Sequence, residues 1–136
     1  MADSSRHLSS FFGAVIGAGV GNGFSSFGVN VANNQTWEQI ISATVFNLEG
    51  GALGGFVGYA IAYFFDDPNP KEKFKTAFLF CFVFSLLIGG LMDSIWIGRD
   101  LSDHPFLVGI FAGTISVGLW GVANNLRNLR EACRTC

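Results

Sequence analysis

Charge is almost absent from four long stretches of this chain, and that absence limits what it can fold into more than any other feature. Phe11 to Val31 and Pro105 to Ala123 carry no charged residue, Ile40 to Phe65 carries only Glu49, and Ala77 to Ile97 carries only Asp93. Each stretch is roughly 20 residues or more, enough at ~1.5 Å of rise per residue to cross a hydrocarbon core of ~30 Å. Lipid offers backbone groups no hydrogen-bond partner, so spans of this kind must be helices that bond internally. In the third stretch Phe78, Phe80, Phe82 and Phe84 alternate as in a strand, but its length and lack of turn residues favour a spanning helix. Charged residues make up only 13% of the chain, about half the usual ~25%, and they gather between the stretches. The expectation is an all-α polytopic membrane protein, a single transmembrane domain over 1–136. Its spans fall at about 11–31, 40–65, 77–97 and 105–123, and a cytoplasmic amphipathic tail at 124–136.

Four spans put both ends of the chain on one side, and the loop charges say which. Arg6, Lys71, Lys73, Lys75, Arg127, Arg130 and Arg134 fall on one face and Arg99 alone on the other, seven of eight basic residues. Basic residues near span ends stay cytoplasmic, which predicts both termini inside, in a bacterial inner membrane or an organelle or cell membrane. Trp37 and Trp96 are expected at the outer boundary, Trp120 and Tyr63 near the inner one, as interfacial aromatics. Ser102 and Asp103 precede Pro105 as capping candidates for the fourth helix. In the tail, Val122, Leu126, Leu129 and Cys133 form one stripe and Arg127, Arg130 and Arg134 another.

Glycine recurs at every fourth position. Gly13, Gly17 and Gly21 do so in the first span, Gly50, Gly54 and Gly58 in the second, and Gly109 and Gly113 in the fourth. Helices in lipid gain little from the hydrophobic effect when they meet, so close backbone approach over small residues must hold them together. The plain reading is packing within one bundle. The sharper one is self-association, because three grooved helices exceed what four helices need.

Two intramembrane carboxylates stand out. An acid near the middle of a span costs ~2.5 kcal/mol or more to insert, so it is protonated, paired or facing water. Counting inward from each outer boundary sets Glu49 at the depth of Asn22 and Thr114, predicting one polar layer in which a protonated Glu49 bonds Asn22 or Thr114. Asp93, nearer the outer boundary, reads as an interfacial charge within reach of Arg99.

Catalysis finds no support: His7 and His104 lie outside the spans, and no nucleophile–base, HExxH or phosphate-loop pattern occurs. Cys133 and Cys136 have CxxC spacing without a second ligand pair, so neither a metal nor a cofactor is expected, and reduced or lipidated thiols are the simpler reading. A net charge of −2 without a basic run excludes nucleic acid as partner. The function expected is a non-enzymatic membrane subunit, partnered by the lipid bilayer and by copies of itself or a larger membrane complex. The alternative is a proton- or ion-coupled transporter or channel using Glu49.

Overall fold

The computed structural model describes residues 2–66, 74–96 and 104–134. They form four α-helices: α1 (Ala2–Ala32), α2 (Trp37–Asp66), α3 (Phe74–Trp96) and α4 (Pro105–Arg134). Each contains a stretch long and apolar enough to cross a membrane, namely Leu8–Ala32, Trp37–Tyr63, Phe74–Ile95 and Pro105–Ala123. Lys71, Lys73, Arg99, Ser102, Asp103 and Cys136 lie outside the described residues.

The turn between α1 and α2 is built from local signals. Asn34 adopts a left-handed φ of 56°, which its short side chain tolerates better than most. The Gln35 N–H then donates to the Asn30 carbonyl at 3.2 Å and the Asn34 N–H to that of Val31 at 3.1 Å, the paired bonds of a Schellman ending. Two residues on, Thr36 caps α2. The Gln39 N–H donates to Thr36 Oγ1 at 3.4 Å while the Thr36 N–H donates to Gln39 Oε1 at 3.2 Å, a reciprocal capping box. At the head of α4 the His104 carbonyl accepts from the Val108 N–H at 3.1 Å.

Around the bundle the order is α3, α1, α2, α4, with α1 packed on both α3 and α2, α2 on α4, and a lighter contact closing α3 on α4. The close pairs are parallel. A Cβ placed on Gly13, Gly17 or Gly21 would lie 2.6, 2.5 or 2.5 Å from the carbonyl oxygens of Phe74, Phe78 and Phe82 in turn. On α2, Gly50 and Gly54 meet the Phe106 and Ile110 carbonyls in the same way. Between α1 and α2 the approach is antiparallel, Gly51 against Ala18 and Gly55 against Ala14.

The core divides into two halves. Towards the chain termini it is mostly apolar: Ala14, Ala18, Tyr59, Ala77, Cys81, Val117 and Trp120 form one buried cluster edged by Phe11 and Phe80, with Ser10 and Ser116 as the buried hydroxyls among them. Tyr59 stacks on Trp120 at 5.8 Å and meets Phe11 edge-on at 5.4 Å, joining α1, α2 and α4. Trp120, expected at a membrane boundary, is therefore a core residue, 3% exposed; its ring fills the space beside Tyr59. Trp37 is 68% exposed at the opposite end, on the outer surface. Towards the Asn34 turn, the space between α1, α2 and α3 is filled by Asn22, Ser25, Ser26, Asn30, Asn47, Ser85 and Asp93, all buried. Only α4 stays apolar there, through Val108 and Ala112.

Candidate functional site

The polar half originates in one stripe of α1. Residues four apart share a helix face, and Ala14, Ala18, Asn22, Ser26 and Asn30 follow that spacing with at most 1% exposure each. Between Ala18 and Asn22 the stripe changes from alanine to amide and hydroxyl, with Ser10 buried one turn before Ala14. A matching stripe on α3 runs Ser85, Gly89, Asp93, again with four-residue spacing. Small residues on the neighbouring helices make room: a Cβ on Gly89 would lie 2.6 Å from Asn22 Oδ1 and 2.5 Å from Ser25 Oγ, and one on Gly51 would lie 2.8 Å from Asn22 Nδ2.

Ser26 is the junction. Its hydroxyl oxygen accepts from Asn47 Nδ2 at 3.0 Å and from Asn30 Nδ2 at 3.3 Å, linking α1 to α2. The Asp93 carboxyl of α3 lies beside the same hydroxyl, without reaching ordinary hydrogen-bond geometry to any described residue. Three helices thus converge on one serine.

The cluster is short of donors. Asn22, Asn30 and Asn47 each spend Nδ2 on a carbonyl of their own helix, of Ala18, Ser26 and Ala43, at 2.9, 2.7 and 3.0 Å. Those bonds fix which way each amide is turned, because flipping it would press two oxygens together. What remains buried and without a hydrogen bond is Oδ1 of all three asparagines, Ser85 Oγ and both oxygens of Asp93. Five of these six are oxygens that can only accept while the amides are neutral and the carboxyl ionised. A buried polar group left unpaired costs about 1–3 kcal/mol, so the set calls for a proton on Asp93, water, or a cation.

Asp93 is therefore not an interfacial charge: it is 1% exposed, because the α3 stripe that carries it faces α1. Asn22 shares the cluster, whereas Thr114 sits on the other side of α2, its Oγ1 donating to the Ile110 carbonyl at 2.8 Å and lying 3.3 Å from that of Gly54. Glu49 joins neither. It is exposed on the outer surface of α2 and makes no hydrogen bond to Asn22 or Thr114, so equal depth did not bring these residues together. In the described residues no group of three or more His, Cys, Asp and Glu is placed to hold a metal ion.

No family model, curated protein or solved structure matches the chain.

Proposed function

We propose that this protein is a small, non-enzymatic membrane carrier that binds one positive charge at Asp93, either a proton on the carboxyl or a small monovalent cation held by carboxylate and amide oxygens. The observation that carries the reading is the buried set of acceptor oxygens around Ser26. Hard oxygen ligands suit a proton or an alkali-type cation, and one carboxylate neutralises one charge. An intramembrane acid is expensive and belongs by default to a transport path or relay. The polar column stops at Ala18, Ala77 and Cys81, which favours a site opened to one side at a time over a continuous pore. Asp93 takes the role that depth alone had suggested for Glu49.

The glycine spacing supports tight packing inside this bundle, since Gly13, Gly17, Gly21, Gly50, Gly54, Gly58, Gly109 and Gly113 each approach another helix of the same chain. The bias of basic residues supports cytoplasmic termini. Thiol labelling of Cys133, exposed near the end of α4, tests that orientation: an impermeant reagent added to intact cells should leave it unmodified.

The experiment for the function is flux in proteoliposomes of the full chain, with Asp93→Asn as the variant. Asparagine keeps the shape but neither titrates nor supplies charge. Flux driven by a proton or sodium gradient should fall at least ~10-fold, with melting in detergent close to wild type. Sodium raising the melting temperature of wild type alone would assign the cation; sodium-independent melting with proton flux would assign the proton. Equal flux in both proteins, or none in either, sinks the proposal.

A further inference from the structure

Glu49 stands in the middle of its span. Twelve residues separate it from Trp37 and fourteen from Tyr63, about 18 and 21 Å along the helix. It also points the wrong way. At ~100° per residue, nine residues in either direction to the buried Ile40 and Gly58 amount to about half a turn beyond two full ones, so Glu49 lies opposite the face that packs on α1 and α4. Around it the surface is apolar, with Val45, Phe46, Leu53 and Phe56 all exposed. A glutamate side chain is far too short to reach either boundary, and lipid tails offer it no partner.

We propose that this face of α2 is covered by a second copy of the chain, with the two Glu49 carboxyls meeting near a two-fold axis. A carboxyl group is its own complement: protonated it donates, and either form accepts. A symmetric contact brings the same patch from both subunits, and a mid-span position coincides with its own copy whether the two chains run parallel or antiparallel. A different protein would have to supply a matched polar group at that depth; a copy brings one by symmetry. This contact is independent of the Asp93 site, which lies on the opposite side of α2 between α1 and α3.

The test uses the full chain in phosphatidylcholine–phosphatidylglycerol vesicles, with Cys81→Ala, Cys133→Ser and Cys136→Ser as background. Mild oxidation should produce a disulfide-linked dimer from Glu49→Cys, and from Phe46→Cys or Leu53→Cys if the first variant inserts poorly. Leu87→Cys on α3 and Ile115→Cys on α4, both on the outer surface, should stay monomeric. With native cysteines under reducing conditions, Glu49→Leu should weaken dimerisation ~10-fold and Glu49→Gln, which still donates and accepts, less than ~3-fold, the scale of one interhelical hydrogen bond. A monomeric wild type, cross-linking as ready at Leu87 as at Glu49, or undiminished dimerisation of Glu49→Leu overturns the proposal. A monomer in pure lipid would point instead to lipid or another protein over this face.

Discussion

The two halves of the bundle solve the same packing problem with opposite chemistry. Near the termini, Ala14, Ala18, Tyr59, Ala77, Cys81, Val117 and Trp120 fill most of the interior with apolar groups and one stacked ring pair. Near the Asn34 turn, Asn22, Ser26, Asn30, Asn47 and Asp93 fill it with amides, a hydroxyl and an acid. Both halves are closely packed, so stability alone does not require the second solution. In lipid an interhelical hydrogen bond contributes on average ~0.6 kcal/mol, while each unpaired oxygen costs more than that. The polar half thus gives up stability unless a proton, water or a cation meets those oxygens, as in the proposed site.

Substitutions can break or sharpen that contrast. The largest effect is expected at Gly54, where the α4 backbone leaves no room for a side chain. Gly54→Leu should destabilise by about 3 kcal/mol or more through overpacking, read as a large drop in melting temperature in detergent. Next comes Trp120→Ala, which removes the ring stacked on Tyr59 and should cost about 2–3 kcal/mol in the same assay, because the cavity loses its packing contacts. If it melts like wild type, the termini half is not the stabilising one.

In the polar half the numbers should shrink. Asn47→Ala deletes the 3.0 Å bond to Ser26 and should cost about 1 kcal/mol, yet it removes one acceptor from the site and should weaken binding or flux more than it weakens the fold. A loss above ~3 kcal/mol would instead make the cluster structural. Smallest of all is Ser116→Ala, beside Val117 in the other half: its hydroxyl donates to the Ala112 carbonyl of its own helix at 2.6 Å, so the change should stay within ~0.5 kcal/mol. Together the four variants rank close approach above ring packing, and both above polar pairing.

The helices were legible because charge is so expensive in lipid: the four charge-poor stretches and the four helical spans nearly coincide. Pro105 was visible as a helix start and opens α4, whereas the Thr36–Gln39 box that starts α2 was passed over in the sequence. Which acid matters was harder to read. Depth can be counted along a sequence, but direction around a helix needs neighbours of like character. Asp93 has them, with Gly89 and Ser85 one and two turns back, facing an α1 stripe of Asn22, Ser26 and Asn30. Glu49 has none, flanked four residues away by Val45 and Leu53. That periodic signal was present in the sequence, and counting depth alone passes over it. The burial of Trp120 was not visible at all, since its partner Tyr59 sits on another helix.

The parallel pairing of α1 with α3 also imposes an order of assembly in the cell. Gly13 contacts Phe74, so at ~5–20 residues per second of synthesis the ribosome works for about 3–12 s between making one side of this contact and the other. Once made, and until α3 follows, α2 alone shelters α1, through Gly51 and Gly55 and the Asn47–Ser26 bond. The nascent hairpin must hold a row of asparagine and serine against raw lipid until α3 emerges. A chain stalled there presents half of an unfinished polar cluster to the membrane and to quality-control proteases, so the Asn34 turn, by closing that hairpin early, guards the chain's most vulnerable seconds.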